Sequence, residues 1–317
     1  MKKSDLKKVA LVGTGFVGMS FAYALLNSGE CDQLLLIDVN KVKAHGEAMD
    51  LNHGLPFAKR NMLIYDGEYS DCHDADIVVI AAGVSQKEGE SRIELLNRNL
   101  AVFKSIIKPI VESGFDGIFL VATNPVDIMT KITLELSGFD SSRVIGSGTT
   151  LDTARLRYLL GDYFKIDPRN VHAYVIGEHG DSEIVPWSQA YVTTKKIYDI
   201  VDSSNEKFKF EDLYQIGKNV TGAAQEIIKA KNATYYGIGM ALVRIVRAIF
   251  GDEKSALTVS VMLNGQYGID GVYAGLPAII GRNGVEDIIV LDLKENERTA
   301  FIESCNFLKD TAKEIGF

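Results

Sequence analysis

The chain has 317 residues, enough for two domains or one large domain, and its apolar fraction of 46% is sufficient for a core without disulfides or metal ions. A formal net charge of -8 argues against nucleic acid as a partner, because nucleic acid is itself strongly negative. The three cysteines are far apart and form no Cys/His cluster, so we expect free thiols, a reducing compartment and no bound metal.

The amino-terminal segment does not have the pattern of a signal peptide. Its basic residues precede a short apolar run, Val9 to Val12, which Gly13 interrupts. A signal peptide needs an apolar region of roughly 7–15 residues. No stretch of the sequence reaches the roughly 18 apolar residues of a membrane span. We therefore expect a cytoplasmic protein that does not contact a membrane.

In the first half of the chain, short apolar runs alternate with amphipathic stretches. The runs predicted as strands are Lys8–Val12, Gln33–Ile37, Met62–Tyr65, Ile77–Ala82, Gly117–Ala122 and Arg143–Ile145. The predicted helices cover residues 16–28, 40–53, 92–113 and 125–137. Strands that are apolar throughout and separated by helices are typical of a parallel sheet covered on both faces. Residues 1–147 are therefore predicted to form a doubly wound α/β (Rossmann) domain for a dinucleotide.

After Gly148 the pattern changes. Helices are predicted over residues 150–162, 209–230, 233–250 and 294–314, with irregular sequence up to about 208. A strand is predicted at Val171–Ile176, and strands of antiparallel type at Ala256–Leu263, Val272–Ala278 and Ile288–Leu291. Residues 148–317 are thus predicted to form a second, α+β domain that binds the substrate.

Gly13, Gly15 and Gly18 fit the dinucleotide-binding pattern G-x-G-x-x-G between a predicted strand and a predicted helix. In that pattern the glycines permit a tight turn, close approach of the pyrophosphate, and close packing of helix on strand. Asp38 ends the second strand, 20 residues after Gly18, where its carboxylate can accept hydrogen bonds from ribose hydroxyls and repel a 2′-phosphate. No arginine follows it closely, although two lysines do, so the sequence favours NAD over NADP.

Three further segments carry candidate catalytic groups. Asp152 and Arg155 are three residues apart on a predicted helix and share a face. His179 lies between glycines directly after an apolar strand, as in an active-site loop. The loop Gln86–Arg92 follows the carboxyl end of a strand, where doubly wound sheets bind ligands, and its composition suits a lid. Each segment alone has an ordinary alternative: a surface ion pair, a structural histidine or a solvated loop.

Together these segments resemble the L-lactate branch of the lactate/malate dehydrogenase family across nearly the whole chain. The motifs that carry the resemblance are, in order, Val12–Gly15, Gln86–Arg92, Thr123–Asp127, Leu151–Arg155, Gly177–Asp181 and Asn232–Gly237. Because their joint occurrence in this order is highly specific, the resemblance outweighs the ordinary alternatives.

The resemblance implies hydride transfer between a nicotinamide and C2 of pyruvate or L-lactate. His179 would act as proton donor to the carbonyl, or as base toward lactate, and Asp152 would fix its tautomer and stabilise the imidazolium. Arg155 would bind the substrate carboxylate with two hydrogen bonds, and Arg92 would close over the substrate and polarise its carbonyl. Asn124 would orient both the carbonyl and the cofactor.

Cofactor contacts are expected along the carboxyl edge of the first sheet as well as at the glycine turn. They are Gly13, Gly15, Val17, Gly18, Asp38, Lys43, Tyr69, Gly83, Val84, Ser105, Ala122, Asn124 and Ser147.

Gln86 is the residue that the resemblance assigns to substrate choice. The matching position in the family faces the substituent on the reacting carbon, and malate dehydrogenases have arginine there. Glutamine would leave a second carboxylate unpaired, which is costly in a buried site, whereas the methyl group of pyruvate fits. Thr234 would line the same pocket and agrees with lactate.

A second site is implied at Arg157 and His172. Residues 155 and 157 point to nearly opposite sides of a helix that turns by about 100° per residue, so Arg157 cannot share the pocket of Arg155. Bacterial members of the family that are activated by fructose 1,6-bisphosphate have arginine and histidine at these two positions. The resemblance therefore implies that this effector binds between subunits of a homotetramer.

Two alternatives remain open from the sequence. One is a malate or other 2-hydroxy-acid dehydrogenase. The other is a non-catalytic NAD-binding sensor built on the same fold, since a fold alone does not fix a function. The intact set Arg92, Asp152, Arg155 and His179 argues against the sensor, which would be free to lose it.

Overall fold

The computed structural model describes residues 6–84, 89 and 92–317. The first half contains β1 (Lys8–Val12), α1 (Phe16–Ser28), β2 (Gln33–Ile37), α2 (Lys41–Gly54), β3 (Leu63–Asp66), β4 (Ile77–Ile80), α3 (Arg92–Glu112), β5 (Ile118–Val121), α4 (Val126–Ser137) and β6 (Val144–Gly146). These strands are parallel, in the order β3-β2-β1-β4-β5-β6. The predicted Rossmann fold is confirmed, and its central strands are fully buried.

The second half begins with α5 (Thr150–Phe164), β7 (Val171–His172), β8 (Tyr191–Val192), β9 (Lys195–Lys196) and α6 (Ile197–Asp202). It continues with α7 (Phe210–Lys231), α8 (Tyr236–Phe250), β10 (Ser255–Asn264), β11 (Asp270–Gly281), β12 (Gly284–Ile288) and α9 (Glu295–Glu314). Among the helices of the described residues, none is both long enough and apolar enough to cross a lipid bilayer.

The two halves share one sheet. The antiparallel strands β10, β11 and β12 extend the parallel sheet at β6, giving the order β12-β11-β10-β6-β5-β4-β1-β2-β3, and Ser260 pairs with Gly146 at the junction. A Cβ at position 146 would lie 2.4 Å from Thr130 Oγ1 and 2.7 Å from Ser260 Cβ, so only glycine allows this approach. A separate small sheet has the order β7-β8-β9.

Two predicted strands differ from the structure. The strand expected over Val171–Ile176 ends at His172, because threonine side chains of α5 take the place of a partner strand at Val175, whose N–H donates to Thr153 Oγ1 at 2.9 Å. The strand expected at Ile288–Leu291 lies earlier, at Gly284–Ile288, because a tight turn before Gly284 sets the pairing with β11. The stretch predicted as irregular up to residue 208 contains β8, β9 and α6.

The apolar core forms two clusters. The larger one covers both faces of the long sheet and includes buried residues from both halves of the chain, such as Leu35 and Val261. The smaller one surrounds Leu156 and Trp187 and is built from α5, α6, α7 and the small sheet. The segment that carries His179 is paired on both sides: Ile176 bonds with Ile184, and Gly177 bonds with Gly275 of β11.

Candidate active site

The turn after β1 contains three glycines, of which two are closely packed and one faces open space. Gly13 has φ +100°, and a Cβ there would lie 2.6 Å from Ala82 N; a Cβ on Gly18 would lie 2.0 Å from Gly13 O. Gly15, in contrast, is exposed and has no atom within 4 Å of the position that a Cβ would take. The amino terminus of α1 therefore faces open space, in which an anionic group could accept hydrogen bonds from the free N–H groups of the helix.

Asp38 is held as an acceptor at the carboxyl end of β2. Its Oδ2 accepts from Thr14 N at 2.8 Å and from Thr14 Oγ1 at 2.9 Å, and its Oδ1 accepts from Asn40 N at 2.9 Å. Burial raises the pKa of this carboxyl, but the hydrogen bonds outweigh it and the pKa lies below its usual value. The group is therefore ionised at neutral pH and suits a ribose diol better than a phosphate.

A cleft of about 310 Å³ runs along this edge of the sheet. The predicted cofactor residues that line it are Gly13, Gly15, Asp38, Lys43, Tyr69, Gly83, Val84 and Ser105. Val17 and Gly18 lie behind the turn, and Ala122, Asn124 and Ser147 lie farther along the same edge, after β5 and β6. Sequence reasoning missed apolar residues that line this cleft, such as Val39, Val102 and Ile106. Val39 could have been identified, because it is an apolar residue that directly follows the aspartate at the end of a strand. Its side chain is 92% exposed.

Asp152, Arg155 and His179 come together, as the sequence predicted. His179 Nδ1 lies 2.6 Å from Asp152 Oδ2, and Arg155 donates to Asp152 Oδ1 at 2.8 Å. Asp152 is 2% exposed, so its carboxylate is shared between two cations in a buried setting. Burial raises the pKa of Asp152, but the charges and hydrogen bonds of His179 and Arg155 lower it by more. The pKa therefore lies below its usual value, and the carboxyl group stays ionised.

His179 is set up to carry a positive charge. Burial lowers the pKa of its imidazole, but Asp152, with smaller contributions from Asp127 and Glu183, raises the pKa to about 9. At neutral pH both ring nitrogens therefore hold a proton. With Nδ1 bound to Asp152, the other nitrogen can donate to a carbonyl oxygen placed beside the ring.

Glu183 is a site residue that sequence reasoning missed. Its Oε1 accepts from Thr221 Oγ1 of α7 at 2.8 Å. Burial and the charge of Asp152 raise the pKa of Glu183 to about 7. Among the described residues, Glu183, Asp152 and His179 form the one group whose metal-ligand atoms all lie within 4.8 Å. Because Asp152 and His179 already bond each other directly, we interpret the group as a charge network around the histidine.

The two halves of the chain match the two domain models of one family. Residues 7–146 match the lactate/malate dehydrogenase NAD-binding domain, and residues 149–316 match the lactate/malate dehydrogenase alpha/beta C-terminal domain. The chain belongs to the lactate/malate dehydrogenase family. The prediction of an NAD-dependent enzyme is thereby confirmed, and the cleft beside Asp38 lies within the NAD-binding domain.

Two bacterial L-lactate dehydrogenases are similar to this chain over nearly their full length. The chain is 52% identical over 313 residues to L-lactate dehydrogenase 2 of Bacillus cereus, covering 99% of each chain. It is 54% identical over 310 residues to L-lactate dehydrogenase of a Geobacillus species, covering 98% of this chain and 97% of the relative.

Solved structures agree with this grouping. A lactate dehydrogenase enzyme from a Medee basin deep-sea metagenome library matches with a TM-score of 0.96 and 54% identity, over 98% of this chain and 99% of the other. The minor L-lactate dehydrogenase of Enterococcus mundtii, in its ligands-bound form, matches with a TM-score of 0.96 and 45% identity over the same shares.

The structure describes the remaining substrate residues of the family motifs to different extents. Gln86 lies outside the described residues, and Arg92 begins α3 but its side chain is not described. Asn124 is exposed at the carboxyl end of β5, next to the NAD-binding edge. Thr234 is half-buried in the short connection between α7 and α8.

Arg157 points away from the catalytic group, as the helical geometry predicted. Its Nε donates to Ala173 O at 3.1 Å, and its guanidinium lies 5.2 Å from the centre of the Tyr174 ring. Burial lowers the pKa of Arg157. His172 precedes Ala173 at the end of β7 and is exposed.

Proposed function

We propose that this chain is an L-lactate dehydrogenase, which reduces pyruvate to L-lactate with NADH and thereby regenerates NAD during fermentation. The observation that carries the proposal is the contact of His179 Nδ1 with one oxygen of Asp152, while Arg155 binds the other oxygen of the same carboxylate. This arrangement places a proton donor beside a guanidinium that can bind a carboxylate, which is what a 2-oxo acid requires. The names of the relatives support the same activity.

In the proposed reaction, Arg155 binds the substrate carboxylate with two parallel hydrogen bonds that a lysine could not reproduce. NADH, when bound, supplies the hydride that reaches C2. The His179 ring donates a proton to the carbonyl oxygen as negative charge develops there, and Asp152 holds Nδ1 and stabilises the imidazolium beforehand. In the reverse direction neutral His179 takes the hydroxyl proton of L-lactate.

The remaining roles come from the family resemblance. Arg92 closes over the substrate and polarises its carbonyl, and Asn124 orients carbonyl and cofactor. By the same resemblance, Gln86 and Thr234 would line the space for the methyl group, and an uncharged lining would favour pyruvate over a dicarboxylate.

A lactate-oxidation assay tests the proposed activity. The wild type should reduce NAD with L-lactate and not with D-lactate. His179→Asn should lower kcat by about 10²-fold or more, since general acid–base catalysis contributes about 10²–10⁴-fold, while the Kd for NADH stays within about twofold. Wild-type protein that binds NADH without oxidising either isomer would contradict the proposal and favour the NAD-binding sensor.

We further propose that fructose 1,6-bisphosphate activates the enzyme by binding at Arg157 and His172 between subunits of a homotetramer. Arg157 supports this because it lies beside the residue that follows His172, on the side of α5 away from the substrate. Exposed apolar side chains on α1 and α8, such as Tyr23 (63% exposed) and Met240 (63% exposed), support burial of this surface against other subunits.

Pyruvate kinetics with and without the bisphosphate test the effector. The KM for pyruvate should fall when bisphosphate is added, and Arg157→Gln should abolish the response. Arg169→Gln is the matched control, because Arg169 is exposed and pairs only locally with Asp167. Unchanged kinetics up to millimolar bisphosphate, with the tetramer verified by sedimentation, would contradict the proposal.

A further inference from the structure

Asp127 is a fully buried carboxylate that the mechanism above does not use. It is the second residue of α4, in the first turn of the helix, and it is 2% exposed. Its Oδ2 accepts from the main-chain N–H of His179 at 2.8 Å, and its Oδ1 accepts from Ser260 Oγ at 2.6 Å. One carboxylate therefore joins the catalytic histidine to a helix of the NAD-binding half and to β10 of the other half.

We propose that Asp127 is a positioning residue for His179, acting through the main chain while Asp152 acts through the ring. The inference rests on the proposed function, because it assumes that His179 is the proton donor. The loop that carries His179 is thereby held by a carboxylate at the junction of the two halves. Ser260, which donates to this carboxylate, also pairs with Gly146 where the halves share one sheet.

The geometry explains why a carboxylate is needed at this position. The loop contains Gly177 and Gly180, which do not restrict its main chain, and it is bonded to β11 only before His179, at Gly177. The bond to Asp127 fixes the peptide of His179 itself. A charged acceptor forms a shorter and stronger bond than a neutral one, and its charge also favours the imidazolium.

The groups that face Asp127 come from each element packed around it. They are the peptide and ring of His179, the hydroxyl of Ser260, the carboxylate of Glu178 in the same loop, and the thiol of Cys305 on α9. Burial raises the pKa of the Cys305 thiol to about 12, so it is neutral. His179 is therefore the cation that Asp127 faces, whereas Glu178 opposes its charge.

The test compares Asp127→Asn with Ser260→Ala in the full-length enzyme. Asparagine keeps the shape and an acceptor oxygen but removes the charge; alanine at 260 leaves the charge and removes one supporting bond. We expect Asp127→Asn to lower kcat for pyruvate reduction by roughly tenfold or more, because a neutral acceptor holds the His179 peptide more weakly than a charged one, with the KM for pyruvate changed less than twofold. The alkaline limb of the pH profile of kcat/KM should move to lower pH, because the charge that favours the imidazolium is gone. Ser260→Ala keeps that charge, so it should leave the limb in place and lower kcat by a smaller factor.

A wild-type kcat and an unmoved alkaline limb in Asp127→Asn would overturn the inference. So would a loss of NADH affinity and thermal stability without a shift of the limb, because a merely structural carboxylate gives that result. If Asp127→Asn does not fold, Ser260→Ala decides, and a wild-type kcat there overturns the inference. Wild-type enzyme inactive toward pyruvate would instead contradict the proposed function, so the two failures are distinguishable.

Discussion

At the scale of single residues, His179 interacts with three carboxylates in three different ways. Asp152 bonds its ring, Asp127 bonds its main chain, and Glu183 lies nearby and is tied to α7 through Thr221. The pKa of Asp127 is raised to about 6 and that of Glu183 to about 7, in both cases first by burial. The charge around His179 therefore changes across the neutral range, while Asp152 remains ionised.

The raised pKa of His179 predicts how pyruvate reduction depends on pH. Reduction needs the protonated ring, whose pKa is about 9, so kcat/KM for pyruvate should be level near neutral pH and fall as the pH rises through about 9. The same shift stabilises the fold below the ordinary histidine value of about 6.5, and that contribution is lost as the pH rises through about 9. A pH profile at saturating NADH measures the limb; a fall centred near 6.5 would show that Asp152 does not hold the imidazolium.

The residues of this site were predictable to different degrees. Asp152, Arg155 and His179 were identified because their motifs together resemble a known family, whereas each segment alone had an ordinary alternative. Glu183 was missed because it lies in a loop, where the sequence does not determine the direction of a side chain. The carboxylate of Glu183 is held by Thr221 of α7, which is 38 residues away in the sequence.

At the scale of elements, the helices and strands of the first half were predicted within a few residues, because unbroken apolar strands between amphipathic helices have one interpretation. One error in the second half occurred where side chains replaced main-chain partners. The strand expected up to Ile176 is shortened by Thr149, which precedes α5, and by Thr153 of α5: the first donates to Val175 O and the second accepts from Val175 N. Apolar sequence cannot distinguish a paired strand from a segment held in this way.

The glycine turn gives a matched pair of variants at this scale. Gly18→Ala should lower the free energy of unfolding by about 1–3 kcal/mol, because its Cβ would lie 2.0 Å from Gly13 O in a packed turn. Gly15→Ala should leave stability nearly unchanged, since nothing lies within 4 Å, but should weaken NADH binding if the pyrophosphate occupies that space.

Urea denaturation and NADH titration of both variants measure the two effects. Unchanged NADH affinity in a folded Gly15→Ala protein would mean that the pyrophosphate does not approach this glycine.

At the scale of the whole molecule, the sequence predicted two domains with a boundary at 147, and the structure has one sheet that crosses this position. The junction depends on Gly146 having no side chain and on Ser260 lying opposite it. These residues are far apart in the chain, so no local pattern could indicate that they pair. Single-sequence reasoning therefore could not indicate that one sheet runs through both predicted parts.

The shared sheet predicts cooperative unfolding. Trp187 is the only tryptophan and lies in the smaller core cluster, away from the NAD cleft. Its fluorescence transition in urea should coincide with the circular-dichroism transition, and NADH should shift both to higher urea, because a ligand that binds only the native state stabilises everything that unfolds with it. Two separated transitions, with the Trp187 transition insensitive to NADH, would indicate that the halves unfold independently.

We propose that this family member acts on pyruvate and not on a dicarboxylate. The most direct measurement is kcat/KM for pyruvate and for oxaloacetate, with NADH, in the wild type and in Gln86→Arg. We expect the wild type to prefer pyruvate by at least roughly tenfold, because an unpaired buried carboxylate is costly, and Gln86→Arg to move the ratio toward oxaloacetate. A wild type whose kcat/KM for oxaloacetate equals that for pyruvate would contradict the proposed substrate choice. An unchanged ratio in Gln86→Arg would show that Gln86 does not face the substrate.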